Sequence, residues 1–307
     1  MRWPALAYVP VAVVAAGVRR RVGIPRPVTI TLASAAPLAI VVALPASRWR
    51  AAAAWATYLW LFKVAHQVPF DEPGKIKKRV RMRQSVRLDS VIGAGAPVAL
   101  RLQRALRDPP RLTPLDWALS ALYYAFWLPP SLLLLWVLIC DEDEFPRLAA
   151  RLAAAYHLTT VGYWIRPSAP PWWASEIEGE MGGGVQRVTR EVNDAARAKL
   201  KGRPRAEGEH GDWREHGNPW ASMPSDHFVG GATAALWLAE QGGEAGALGL
   251  AYLLAVAFIV LYLGEHYVID LAAALALAEA VRRADPLLDT LARRVPVAAR
   301  GLGRVVD

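Results

Sequence analysis

Apolar residues fall in long blocks along this chain, separated by short charged stretches. A bilayer core takes about twenty apolar residues in a helix, so the blocks predict membrane helices. Residues 3–18 form a short block closed by Arg19, Arg20 and Arg21. Signal peptides carry their charges before the apolar core, so this block is not read as one. Residues 27–44, with Pro37 inside, and the Trp-rich 51–66 predict two further membrane helices. The next stretch, 75–87, carries Lys75, Lys77, Lys78, Arg79, Arg81, Arg83 and Arg87, the pattern of a solvated or headgroup-facing face. Residues 88–106 are only half apolar and are broken by Gly93, Gly95 and Pro97. They fit an interfacial or re-entrant amphipathic segment better than a span.

The block 115–140 holds Pro129-Pro130 and predicts a kinked membrane helix, followed by the acidic loop 141–144. Residues 148–165 return across the bilayer and stop at Arg166-Pro167-Ser168-Ala169-Pro170-Pro171-Trp172-Trp173, where paired Pro and Trp mark an interface. The longest polar stretch, 174–221, contains Gly182-Gly183-Gly184 and an amphipathic helix near 185–200. Three apolar segments follow, 227–239, 245–263 and 267–281, closed by Arg282-Arg283. The fold class is therefore all-α, a polytopic membrane helical bundle. Residues 1–110 give N-terminal membrane helices and a basic interfacial segment, 111–285 the main bundle with an outer loop at 168–221, and 286–307 a basic tail.

Composition agrees with a membrane protein: 54% of the 307 residues are hydrophobic, thirteen are tryptophan, and mean hydropathy is positive. A net charge of +9 would point to nucleic acid in a soluble protein. Here the basic residues flank apolar blocks, where anionic headgroups and the positive-inside rule account for them, and no nucleic-acid partner is expected. The single cysteine, Cys140, leaves no intramolecular disulfide.

Candidate chemistry sits at two block boundaries. In Tyr262-Leu263-Gly264-Glu265-His266-Tyr267-Val268-Ile269-Asp270 a histidine and a carboxylate stand four residues apart. If the segment is helical from His266, the two share one face and Asp270 holds the imidazole. A carboxylate on one ring nitrogen leaves the other free to act as a nucleophile or base, though such a pair also serves as a tie between helices. The second motif is Ala221-Ser222-Met223-Pro224-Ser225-Asp226-His227-Phe228. Proline near the first helical position, with Ser222 or Ser225 able to cap, makes a helix start that attracts phosphate. A zinc or iron site from His227, His266 and Asp270 is the rival reading. The Pro-Ser context speaks for phosphate instead, so no metal or cofactor is expected. His66, His157, His210 and His216 read as incidental.

Together the two motifs resemble those of the type 2 phosphatidic acid phosphatase superfamily. Met223-Pro224-Ser225-Asp226-His227 and the Tyr262 to Asp270 string look most like its branch related to inositol phosphorylceramide synthase. The resemblance implies a six-helix core and a lipid phosphatase or phosphotransferase acting on a lipid phosphate ester or diphosphate, with water or inositol as acceptor. It implies that His266 attacks phosphorus, Asp270 orients it, and His227 protonates the departing oxygen and later activates the acceptor. Ser225, its helix start and Arg166 are the expected phosphate-binding groups, with an interfacial anchor as the other reading of Arg166.

Three positions depart from the superfamily pattern. Thr159 stands where Lys-x6-Arg-Pro has lysine, Val260 where the last motif has arginine, and Asp226 where glycine or leucine is usual. Arg187 or Arg190 is expected to supply the missing charge, and Asp226 to point away or pair with a cation such as Arg166. Against an enzyme stands a non-catalytic or transport protein that keeps the same bundle.

One crossing and its return separate His227 from His266, which puts both on one side of the membrane. The arginines after 281 then lie on the other, cytoplasmic side, so the site is expected to face outward from the plasma membrane. If 88–106 does not cross, the basic loops at 19–21 and 75–87 fall on the outer side against that rule; if it does cross, they turn inward.

Overall fold

Helix follows helix through the computed structural model, which describes residues 2–201, 219–292 and 294. Among the described residues there are fourteen α-helices, one 3-10 turn and no strand. His210, His216 and most of the tail lie outside them.

The first three helices, α1 (Arg2–Val22), α2 (Arg26–Ala43) and α3 (Arg48–Gln67), run up, down and up. Their register is fixed at both ends by charge. Arg19 and Arg20 meet Asp71 of the 3-10 turn Val68–Asp71 that follows α3, Arg19 Nε at 2.9 Å. At the other end Ser47 caps α3 and Arg48 reaches Glu142 at 3.0 Å. His66, in the last turn of α3, therefore lies at the same end of the bundle as Arg19.

After the short α4 (Pro73–Lys77) come α5 (Arg83–Ile92) and α6 (Val98–Leu106). Ten and nine residues give about 15 Å of helix each, half the hydrocarbon thickness. Neither helix is long enough to cross a bilayer by itself. Asp89 pins it by accepting the amides of Val98 at 2.9 Å and Val268 at 2.7 Å. The basic stretch before it lies along the end of the next bundle helix. Arg79 donates to the carbonyls of Trp164 and Ile165, and the Arg81 amide to that of Pro167 at 2.8 Å.

The predicted kinked helix is two helices, α7 (Pro114–Tyr124) and α8 (Leu128–Cys140), meeting at a bend of 48°. Thr113 and Asp116 form a capping box at the start of α7, while Pro129 and Pro130 lie in the first turn of α8, where a missing amide hydrogen does no harm. With α9 (Phe145–Ile165), α12 (Asp226–Glu240), α13 (Gly243–Tyr262) and α14 (Val268–Arg283) they enclose one core. By length and apolar composition α2 and α13 qualify as spans, and α7 with α8 as a third, broken one. The protein is a membrane protein.

α12 is the central helix, packed against α8, α9, α13 and α14. Its small residues allow this. A Cβ on Gly230 would stand 2.1 Å from the Tyr156 hydroxyl, and one on Gly249 of α13 would stand 3.0 Å from the Ala235 carbonyl. By contrast α13 keeps Leu248, Leu250 and Leu254 exposed, as a lipid-facing helix does.

Far from His66, the other end of the bundle is closed by ion pairs. Arg151, only 1% exposed, bonds Asp285 through two nitrogens at 2.6 and 2.9 Å and Glu240 at 3.0 Å. Arg147 joins them on Asp285, and Arg282 reaches Glu240. α9, α12 and the chain after α14 are thus tied where three helix ends meet.

Candidate active site

Two helix starts and one helix end meet at the opposite mouth of the bundle. The N-cap of α12 is Ser225, whose Oγ accepts the Phe228 amide at 3.2 Å while its own amide donates to the Asp270 carbonyl. Tyr163 braces the same turn, donating to the Pro224 carbonyl at 2.6 Å and accepting the Asp226 amide at 3.0 Å. Gly162 leaves room for the Pro224 ring, since a Cβ there would come within 2.9 Å of it.

His266 is held by the turn between α13 and α14. Gly264 turns the chain with φ +75°, a conformation that suits glycine, and a Cβ there would meet Val185 at 2.9 Å and the Gln186 carbonyl at 3.0 Å. α14 begins at Val268, so His266 precedes the helix and the expected pairing across one helical face does not occur. The turn brings the groups together instead. Nδ1 of His266 lies 3.0 Å from the Ser222 carbonyl and 3.4 Å from Asp270 Oδ2. That oxygen also accepts Ser222 Oγ at 2.7 Å and the Tyr267 amide at 2.9 Å. A carbonyl only accepts, so Nδ1 carries the proton and Nε2 presents a lone pair.

Nε2 of His266 faces Nδ1 of His227 at 3.3 Å. The ring of His227 stacks on Tyr123 with centroids 4.3 Å apart and touches Phe126, and its Nδ1 is also 2.8 Å from Asp226 Oδ1. The second Asp226 oxygen lies 3.4 Å from Nε2 of His66. Beside them Glu265 accepts Thr189 Oγ1 at 2.7 Å and Arg187 at 3.0 Å, and the Arg187 guanidinium lies over the Trp172 ring.

Burial pulls the His266 imidazole down, but the hydrogen bond and charge of Asp270, with the charges of Asp226 and Glu265, carry it above the ordinary histidine value. For Glu265 burial acts upward and is outweighed by Arg187 and Thr189, which hold its carboxyl below the usual range. The floor of the site is thus a hydrogen-bonded set of buried charges. Above it opens a cavity of about 800 Å³, the size of a small-molecule site, with aromatic walls from Trp60, Phe62, Tyr123 and Trp127.

The structure brings His227, His266 and Asp270 together, as expected. Ser225 is fully buried, both its groups are engaged within the turn, and it does not line the cavity. Ser222, named above only as a possible cap, lines the cavity in its place. Arg166 is a correction: it is exposed, donates to Gln84 of α5 and does not line the cavity. Asp226 therefore pairs with His227 and His66, and Arg166 is not its partner. Thr159 and Val260 are buried and uncharged, Thr159 bonding its own helix at Ala155. Arg187 and Arg190 both line the cavity, Arg190 with its guanidinium on Glu176.

His66 and Glu265 were missed as site residues. The one available signal for His66 was its place at the edge of an apolar block: it closes one, where His227 and His266 stand at the start of theirs. The rival metal set also changes membership, because the atoms that converge belong to Asp226, His227 and His266, and Asp270 stands behind them.

A sequence model described as the PAP2 superfamily matches residues 86–282, more than half of the chain. No curated protein and no solved structure matches it.

Proposed function

The chain belongs to the PAP2 superfamily, and from that membership we propose that it cleaves a lipid phosphate ester or diphosphate through a phosphohistidine on His266. Nε2 of His266 attacks phosphorus, the bond to the lipid oxygen breaks, and His227 gives that oxygen a proton. The imidazolium that forms is stabilised by the Ser222 carbonyl and Asp270 at Nδ1. His227 then takes a proton from the acceptor, whose oxygen displaces the phosphoryl group from His266 and restores the site.

One observation carries this reading: the lone pair of His266 is aimed at a second histidine on the floor of the cavity, with its other nitrogen fixed from behind. At 3.3 Å the two rings touch, so a phosphorus atom bonded to Nε2 requires His227 to turn aside along Tyr123. With Thr159 and Val260 uncharged, the cations among the cavity's lining residues, Arg187 and Arg190 together with Lys63 and Arg197, are the groups to meet the phosphate oxygens.

The basic residues bear on the side of the membrane. Arg19 to Arg21 and the stretch from Lys75 to Arg87 sit at the site's end, whereas the acidic loop 141–144 sits at the other. By the positive-inside rule these stretches favour a cytoplasmic site, while Arg282 and Arg283 at the other end favour the outward orientation expected from the C-terminal arginines; the cytoplasmic orientation is the one proposed.

The test is phosphate release from a panel of lipid phosphates and diphosphates by purified protein in detergent with a chelator present. His266→Ala is run beside wild type, and inositol is added in parallel. Release that vanishes in His266→Ala is expected, and transfer of the headgroup to inositol would identify a transferase. Folded wild-type protein that neither releases nor transfers phosphate would overturn the reading in favour of a non-catalytic bundle.

A further inference from the structure

Asp226 Oδ1, His227 Nδ1 and His266 Nε2 form a compact triangle, with neighbouring atoms 2.8 and 3.3 Å apart and all three residues' ligand atoms within 4.8 Å. A zinc ion with bonds near 2.0–2.1 Å in tetrahedral geometry sets its ligand atoms roughly 3.3 Å apart. One side of the triangle already has that spacing and another is half an ångström short of it, so small side-chain shifts would bring the three atoms to one face of a zinc site. His66 Nε2, 3.4 Å from the other Asp226 oxygen, stands behind the carboxylate.

The groups behind the triangle match as well. Metal-binding histidines ordinarily donate their second ring nitrogen to a carbonyl or carboxylate, which fixes the tautomer. His266 does so, with Nδ1 on the Ser222 carbonyl and Asp270 beside it, itself held by Ser222 and the Tyr267 amide. Charge points the same way. Glu265 has Arg187 as its cation, while Asp226 and Asp270 meet histidines, Ser222 and backbone amides. A buried carboxylate among imidazoles is the donor set that divalent zinc or iron takes.

We propose that Asp226, His227 and His266 bind a divalent transition-metal ion of the zinc type, with a fourth position open to the cavity. Binding moves the ring proton of His227 from Nδ1 to Nε2, and each imidazole gives the ion one lone pair. The lone pair given by His266 is the one that attacks phosphorus in the proposed reaction, and on that reading the metal-loaded protein forms no phosphohistidine. Zinc is then a reversible inhibitor, and Asp226 is the residue that lets it bind.

The experiment titrates zinc alone into tag-free, chelator-stripped full-length protein in detergent, followed by calorimetry. A parallel cobalt titration reads the strong ligand-field absorption of a tetrahedral site. One equivalent of zinc, a tetrahedral cobalt spectrum erased by zinc, and affinity lowered about 100-fold or more in Asp226→Asn are expected, since outer-shell changes alone cost up to that. No stoichiometric binding to wild type overturns the proposal, as does equal affinity in a folded Asp226→Asn. If that variant does not fold, the wild-type cobalt spectrum decides: a tetrahedral one supports the site and an octahedral one overturns it. Phosphate release is measured separately with and without zinc. Inhibition supports the exclusion of chemistry by metal, and stimulation overturns it. Binding by a protein that releases no phosphate under any condition would leave the metal site standing and remove the phosphoryl-transfer reading instead.

Discussion

Asp226 joins the facing histidines to a helix outside the family-matched segment: its Oδ2 lies 3.4 Å from Nε2 of His66, in α3, while its Oδ1 lies 2.8 Å from Nδ1 of His227. The N-terminal helices are thereby part of the site. At 3.4 Å this contact is longer than an ordinary hydrogen bond, so a contribution on the order of 1 kcal/mol, or roughly fivefold in rate, is expected if it positions His227. His66→Ala is expected to lower kcat/KM for phosphate release by about that factor, and His66→Gln, which keeps a donor, to recover most of it. Equal activity in the alanine and glutamine variants would show that α3 only packs there.

The lone cysteine reports which way the bundle points. Cys140 is exposed at the end of α8, beside the acidic loop and away from His266. With the site's end cytoplasmic, a membrane-impermeant maleimide labels Cys140 on intact cells as well as after lysis, and Cys140→Ser takes up none. Labelling only after lysis would restore the outward-facing site.

Asp285 gives the closed end of the bundle a pH dependence. Burial pushes its carboxyl up, but hydrogen bonds from Arg151 and Arg147 outweigh this and hold it below the usual aspartate range. A folded value below the unfolded one, about 3.9, means the stabilisation is complete above that pH and is lost as pH falls through the folded value. Breaking a buried pair costs about 3–5 kcal/mol. Asp285→Asn should therefore melt well below wild type at neutral pH, with the gap closing under about pH 4. A gap of constant size down to pH 3 would mean that the ion pair is not its source.

Helix positions could be read from the sequence because lipid and core both demand continuous apolar blocks, and the blocks at 27–44 and 245–263 became α2 and α13 nearly residue for residue. His227, His266 and Asp270 were legible because each stands where a block begins, and a helix start fixes what is near it. Long-range pairing was not. Nothing local tells His66 that α3 packs on α9 and delivers it to Asp226, or that Arg166, just past the end of α9, turns outward to Gln84. Ser225 was chosen over Ser222 because capping and phosphate binding call for the same kind of residue. The structure gives the cap to Ser225 and the cavity to Ser222.

Gly264 offers the sharpest test of how His266 is held. Its φ of +75° costs a non-glycine residue on the order of 1–3 kcal/mol, and a methyl group would also press on Val185 and the Gln186 carbonyl. Those neighbours lead into α11 (Val188–Lys201), where Thr189 bonds Glu265, so relief of the clash shifts the turn that carries His266. Gly179 is the matched control, since it has φ +70° but nothing within 4 Å of an added Cβ. Gly179→Ala should lose stability with kcat intact, whereas Gly264→Ala should lose kcat by tenfold or more at a temperature where both are folded. If the two alanine variants keep the same kcat, the turn tolerates displacement, and the position of His266 is set by Ser222 and Asp270 alone.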